Sequence, residues 1–448
     1  MFAPIQQSAQ DAVTELYLGF FGRAPEPAGL IFWAEQLQTG NASVMQVANQ
    51  FSQSIEFSRQ YDGLSAEEVV TKIYEHVLDR APDSDGLTFW LNALKTGTPV
   101  SSLVWAIVDS AFDQTATADG LLVQGKIFQA EASVAPIIYQ QSSVPWSITT
   151  GFGEINVAAA LSAVFASSVA QTSSFKSSVN QWAISTAHFQ DAWSAGFTGK
   201  GVVIANIDSG IDLTNSALTT NLSAHNWNFI TNTADVQDDN GHGSATASEM
   251  IAKGVVTGAA YDAQLMVLKV VDSQGNGSQA NLVNAINYAV DHGANVINVP
   301  LGGISANADT LAALVNANNH GVIVCMASGN GAASTPQFPA GYAQQLSNCI
   351  AVGATVSNAG AVSHLPVSNG AGSLTPYAFV EAPGSQIYAY GLNGQIKPWT
   401  GTSFSTPLVA AEVAILLSAN SGLASSEIVS AIVHTTTELT GIQTIQPI

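Results

Sequence analysis

A carboxylate, an imidazole and a hydroxyl, each set in a glycine-containing motif, are the residues of this chain whose types and order could perform nucleophilic chemistry. Asp208 ends the apolar run 202–207 and is followed by Ser209-Gly210. That placement would fix a carboxylate at the edge of a sheet, although an Asp at a strand end is more often a turn or cap residue. His242 stands in Asp238-Asp239-Asn240-Gly241-His242-Gly243-Ser244, where the glycines let backbone approach an imidazole at a helix start. His76, His188, His225, His292, His320, His364 and His434 have no such frame and are read as structural or solvent-facing. Ser403 lies in Gly401-Thr402-Ser403-Phe404-Ser405-Thr406-Pro407, ahead of an apolar helical run through Leu417. In the first turn of a buried helix its hydroxyl would lie near the positive end of the dipole, with its own N–H free to bind an oxyanion. Serine is equally a common helix cap. Singly each residue has an ordinary reading; in the order Asp, His, Ser they make an orienting acid, a base and a nucleophile.

Together the three motifs resemble the subtilase family over about residues 180–439, and the chain order is the one that family uses. Two further segments carry the likeness. Residues 324–331 resemble the strand and loop that deliver the family's oxyanion-hole asparagine, which the resemblance assigns to Asn330, with the Ser403 N–H as second donor. Residues 269–277 and 298–303 resemble the two edges that hold substrate as an added strand, implying contacts at Gly275, Asn276, Gly277, Leu301, Gly302, Gly303 and Gly329. The resemblance implies a secreted serine endopeptidase acting on protein or peptide through an acyl-enzyme, with no cofactor in the chemistry. Two other readings stand beside it: an inert surface-layer or scaffold protein with a protease fold, and a latent zymogen held by its N-terminal region.

Departures from the pattern limit the expectation. Pro300 occupies a place usually held by Ser, and it has no backbone N–H to donate. The stretch 252–258 lacks the asparagine-rich loop of a common family calcium site, so no calcium is expected there; a structural calcium elsewhere is left open. Phe404 follows the nucleophile where many relatives have Met, removing an oxidisable sulfur and implying peroxide tolerance. Gly331 and Gln337, in the implied wall of the first subsite, bring no charge, so a neutral side chain, apolar or bulky, is expected before the cut.

Such residues need a rigid sheet beneath them. Apolar, β-rich runs at 201–207, 264–270, 296–299, 322–326 and 348–352 alternate with helical patterns at 242–252, 279–292 and 309–318. This alternation predicts an α/β fold, a largely parallel sheet flanked by helices, with chemistry at the strands' carboxyl ends. Residues 179–448 are the expected peptidase domain. Before it, 119–178 reads as a Ser-, Ala- and Gln-rich connector or pro-segment with turns at 143–146 and 149–153 and one helix, 157–170. Residues 151–157, Gly-Phe-Gly-Glu-Ile-Asn-Val, resemble a segment that often closes subtilase domains, although here it precedes the core.

The first 118 residues repeat internally. Tyr17, Arg23, Ala24, Pro25, Gly29, Phe32 and Trp33 recur as Tyr74, Arg80, Ala81, Pro82, Gly86, Phe89 and Trp90, giving copies at about 13–60 and 70–117. Each copy predicts helices broken at Arg-Ala-Pro and closed at Thr-Gly, a small all-α domain. Asp83 and Asp85 hint at a cation loop, but the first copy has Glu26-Pro27-Ala28 there, so a capping turn is preferred. The repeat resembles a helical domain of unassigned function found in secreted and surface-layer proteins of Gram-negative bacteria.

Eleven Lys and Arg against 32 Asp and Glu give a net charge of −21, which repels phosphate backbones and anionic lipids, so nucleic acid is excluded as a partner. Residues 1–10 lack a basic patch followed by an apolar stretch, and the apolar runs 155–170 and 407–419 read as buried helices, so neither a Sec-type signal nor a membrane span is expected. Export without a cleaved leader, to the medium or the cell surface and its components, follows from the repeat's resemblance. Cys325 and Cys349 sit in separate predicted strands and read as buried thiols rather than a bridge.

Overall fold

The computed structural model describes residues 7–25, 27–38, 40–112, 119, 122, 123, 126, 146–165, 181–303, 305–358, 360–373, 376–437 and 439. The chain divides into two units, Met1–Ile138 and Tyr139–Ile448.

The first unit is helical: α1 (Gln7–Phe21), α2 (Pro27–Gln38), α3 (Val44–Ser52), α4 (Ile55–Tyr61), α5 (Ala66–Leu78), α6 (Ser84–Lys95) and α7 (Val100–Phe112). Its core is Val13, Leu16, Phe20, Phe51, Ile73 and Leu103 with their neighbours. Gly19 lets α1 cross close to α7, since a Cβ there would lie 2.5 Å from Val104. The repeated arginine does the same work in both copies. Arg23 lies over the Tyr17 ring and pairs through two nitrogens with Glu56 at 2.7 and 2.8 Å, while Arg80 lies over Tyr74 and pairs with Asp119. Asp83 caps α6, accepting from Gly86 N at 2.7 Å, which is the capping role expected of it.

The second unit is built on a mainly parallel sheet of β1 (Val203–Asp208), β2 (Trp227–Asn228), β3 (Gln264–Lys269), β4 (Val296–Val299), β5 (Ile323–Ala327), β6 (Cys349–Asn358), β7 (Ala361–His364) and β8 (Phe379–Pro383). Their order is β2-β3-β1-β4-β5-β6-β7, with β8 also paired to β6 and β7 antiparallel. Strands β1, β3, β4 and β5 are almost wholly buried, which is why they read as continuous apolar runs rather than alternating ones. A hairpin of β9 (Ile387–Tyr390) and β10 (Ile396–Trp399) stands apart.

The helices of this unit are α8 (Val157–Phe165), α9 (Trp182–Thr186), α10 (Phe189–Ser194), α11 (Ser216–Thr219), α12 (His242–Ile251), α13 (Gln279–Asp291), α14 (Ala308–Asn319), α15 (Thr406–Ala419) and α16 (Ser425–His434). Thr406 to Leu416 are buried all round, because α15 packs against β4, β5, α8 and α12. That explains an apolar run long enough to suggest a span. Cys325 and Cys349 are free and buried on neighbouring strands, and burial pushes both thiols upward.

The expected boundary at 179 differs from the observed one. Residues 146–165 belong to the second unit, and the expected helix 157–170 is observed as Val157–Phe165, its remainder and residues 143–145 lying outside the described residues. Phe152 N donates to Phe379 O at 3.0 Å and Ile155 N to Glu381 O at 2.9 Å, so 152–155 runs parallel beside β8. On its other side Glu154 exchanges two bonds with Thr437, at 3.0 and 2.8 Å. The segment that resembles a domain closure thus fills a strand position between β8 and the residues after α16, although it enters from ahead of β1. Asn156 caps α8 through a bond from Ala159 N at 3.0 Å, and α8 then packs on α10, α15 and α16. The pattern of residues 119–178 gave no sign of this, because the partners lie more than 200 residues away.

Candidate active site

Parallel strands deliver two of the expected residues. Asp208 is the last residue of β1, and Asn330 follows β5, its neighbour but one. His242 is the first residue of α12.

The Asp208 carboxylate is 1% exposed and satisfied from several sides. Its Oδ1 accepts from Ser209 N at 2.7 Å, its Oδ2 from the Thr246 hydroxyl at 2.9 Å, and both face His242 Nδ1 at 2.8 and 2.9 Å. Desolvation disfavours the His242 imidazolium, but the Asp208 charge and hydrogen bond, with Asp238 behind, outweigh it and raise the pKa above the ordinary histidine value. The ring remains 24% exposed, and its Nε2 makes no hydrogen bond with any described residue.

Glycines make this approach possible. A Cβ on Gly243 would lie 2.3 Å from Gly210 O, so only glycine lets the first turn of α12 press onto the end of β1. The loop before it is organised by Asp238, buried and accepting from Gly241 N, Asn240 N, Ser244 N and the hydroxyls of Ser209 and Ser244. Burial opposes its charge; these donors more than compensate and hold its pKa below the usual range.

Ser403 lies in a separate 3-10 turn, Thr402–Phe404, rather than in the first turn of α15, which starts at Thr406. Gly401, at φ +142°, makes the bend that feeds it. The turn packs against α12: the Phe404 ring lies 5.3 Å from the His242 ring, centroid to centroid. Thr402 N donates to Asn330 Oδ1 at 2.9 Å, which ties the Asn330 amide to the residue before Ser403 and turns its NH2 away, unspent. The Ser403 N–H and hydroxyl are likewise unengaged by any described residue. Three donors and an imidazole lone pair therefore remain uncommitted around one turn.

Of the implied substrate residues, Gly329 is tied directly to this turn. Gly275, Asn276 and Gly277 sit in an exposed hairpin closed by Asp272, which accepts from Gln274 N and Asn276 N at 2.9 Å. Leu301, Gly302 and Gly303 continue β4 beyond its ladder, with Gly302 and Gly303 exposed and Pro300 buried. Gly329 N is bonded to the Thr402 hydroxyl at 3.2 Å. The loop 252–258 is tight, closed by a bridge between Lys253 and Thr257.

Several participants were not singled out from sequence. Thr246 lies one turn after His242 and clamps Asp208; that spacing was the available signal. Behind it Asn206 donates to Thr246 at 3.1 Å, and Asn298 to Asn206 at 2.8 Å, a buried chain across β4, β1 and α12. Lys269 is 4% exposed and joins Ser209 O to Asp239, at 2.7 Å, and to Val271 O at 3.2 Å, tying β1, the His242 loop and the start of the 271–277 hairpin.

Comparison with known proteins agrees with the sequence resemblance. Residues 199–446 match the model of the Subtilase family, and 5–61 and 48–115 match a domain of unknown function twice over. Thermitase of Thermoactinomyces vulgaris is 34% identical over 249 residues, covering 54% of this chain and 84% of thermitase. Subtilisin Savinase of Lederbergia lenta is 34% identical over 264 residues, covering 58% and 91% respectively. With a mainly parallel α/β sheet, a family match across more than half its length and two relatives covered over 84% and 91% of theirs, the chain belongs to the subtilase family, its subtilase region preceded by a duplicated helical domain.

Proposed function

We propose that the chain is a serine endopeptidase whose catalytic residues are Asp208, His242 and Ser403, with an oxyanion site formed by the Asn330 amide and the Ser403 N–H. The observation that carries this reading is the Asp208 clamp at 2.8 and 2.9 Å on Nδ1 of an imidazole whose Nε2 is left open beside the Ser403 turn. Asp208 sets the tautomer with Nδ1–H, so the lone pair is at Nε2. Nε2 takes the proton as Ser403 Oγ adds to the peptide carbonyl, and Asp208 stabilises the imidazolium. The oxygen that gains charge would be met by the Asn330 amide and the Ser403 N–H, which other described residues leave unspent. His242 returns its proton to the leaving amine, and a water deprotonated by the same Nε2 releases the acyl group. Each of these steps uses protein groups and water alone.

The exposed backbone at 275–277 and 301–303 supports an extended peptide as substrate, pairing as an added strand. The acidic, lysine-poor composition and the helical repeat support action outside the cell or at its surface, on protein substrates. The test is hydrolysis of an unfolded protein such as casein. The wild type releases peptides and Ser403→Ala loses about 10⁶-fold in turnover, the scale known for subtilisin. Equal, negligible activity in both folded proteins would favour the inert scaffold instead.

A further inference from the structure

The docked 152–155 strand brings a carboxyl group to its seam with β8. Ile155 N donates to Glu381 O at 2.9 Å and Glu381 N to Gly153 O at 2.7 Å, so Glu154 stands opposite Glu381 in the parallel pairing. Both glutamates are buried, at 3% and 0% exposure. Glu381 Oε1 faces His364 Nδ1 at 2.5 Å, and His364 Nε2 faces Ser368 O at 3.2 Å. The other Glu381 oxygen, both Glu154 oxygens and the Thr355 hydroxyl of β6 have no hydrogen-bond partner among the described residues.

Two carboxyls and an imidazole thus share one buried cluster. Holding two protons between them, they are neutral in sum; with a single proton they leave a net negative charge in the interior, which is costly without a cation. Among the described residues no Lys or Arg acts on either carboxyl. Residues 349–358 of β6, 157–165 of α8 and the 436–437 segment carry no charged or imidazole side chain. On α15 burial alone acts on Glu412, and on α16 Glu427 bonds Ala424 N while His434 bonds Ser430 O. Burial accordingly raises Glu154 well above the carboxylate range and Glu381 to about 7. Burial works against the His364 imidazolium, but Glu381 outweighs it and raises that pKa as well. All three shifts have one sign: each contributes stability that is complete at low pH and is lost as pH rises through the folded value.

We propose that the 152–155 strand is an alkaline-sensitive latch, docked while Glu154, Glu381 and His364 retain two protons between them and released when the second is lost. The latch reaches the candidate site through α8, which follows the strand and packs on α15, the helix after the Ser403 turn. Release removes a support from behind that turn.

Hydrogen exchange of the full chain at about pH 6 and pH 9, corrected for intrinsic rates, tests the latch without reference to catalysis. Peptides covering 152–155 and 379–383 are expected to lose protection about tenfold or more at the higher pH, while those of β1 and β4 keep theirs. The double variant Glu154→Gln/Glu381→Gln has no carboxyl left to ionise there and should keep its protection; either single variant should keep more than the wild type. Glu412→Gln, which removes a separate buried carboxyl, should leave the loss unchanged. Protection equal at both pH values, a loss shared by β1 and β4, or a loss as large in the double variant or in both single variants overturns the proposal. Protection at pH 9 that vanishes only with EDTA also overturns it, assigning the seam to a bound cation instead.

Discussion

His242 with Asp208 and His364 with Glu381 are both imidazole–carboxylate pairs closed at Nδ1, at 2.8 and 2.5 Å, with both carboxylates on strands of the same sheet. Asp208 is surrounded by donors, Ser209 N and Thr246, that favour its charge; Glu381 has one oxygen without a partner and the buried Glu154 beside it. Burial therefore pushes Glu381 up to about 7 despite His364, and raises Glu154 well above the carboxylate range. The far nitrogen differs as well. His364 Nε2 is bonded to Ser368 O at 3.2 Å, whereas His242 Nε2 is open. An imidazole–carboxylate pair can serve as a base only when its outer nitrogen is available, and that nitrogen is open at His242 and engaged at His364. Glu381 also pairs through its backbone with the docked 152–155 strand.

The largest expected effect would separate the two pairs outright. Asp208→Asn should lower kcat/KM about 10⁴-fold, the scale of tautomer loss in such triads. His364→Gln should change it less than threefold while lowering the melting temperature. A comparable activity loss in both variants would break the distinction. In the wild type, the acid limb of kcat/KM should titrate above the ordinary histidine value, because Asp208 raises His242; His242 must be neutral to act, so activity falls as pH drops through that point.

Next in size is the docked strand. Gly151 has φ +58°, and a Cβ there would lie 2.3 Å from Phe379 O. Gly151→Ala should therefore cost about 2–4 kcal/mol in chemical denaturation. An unchanged midpoint would show that the segment is dispensable.

A smaller effect tests the second pair through pH. The folded pKa of Glu381 lies above its unfolded value, so its contribution to stability is complete below the ordinary glutamate pKa and is lost as pH rises through about 7. Wild-type melting temperature should fall between pH 5 and 8, and Glu381→Gln should flatten that slope. A slope that is equal in both proteins would contradict the assignment. Smallest, Thr246→Val should reduce kcat/KM about tenfold by removing one donor from Asp208 without touching His242.

Legibility in the sequence followed the range of the contacts. The apolar run 296–299 coincides with β4, and the runs for β1, β3 and β5 fall within one or two residues of those strands, because burial on both faces leaves a continuous apolar run. Asp208 and His242 announced themselves through local glycines. By contrast β7, β8 and the β9–β10 hairpin carry no comparable pattern, and β6 extends through Asn358 where a shorter run to 352 was expected. The strand at 152–155 was visible only as a resemblance, since nothing near it in sequence pairs with it. Thr246 and Asn206 look like ordinary polar residues until the fold brings Asp208 against the first and Thr246 against the second.

In the proposed mechanism one imidazole makes one serine nucleophilic. Its most direct test is the rate of fluorophosphonate addition, with the modified residue located by peptide mass mapping. One adduct per chain is expected at Ser403, absent in Ser403→Ala and slowed at least 10³-fold in His242→Ala. Stable, folded wild-type protein that takes no adduct, or takes it at the same rate without His242, would contradict it.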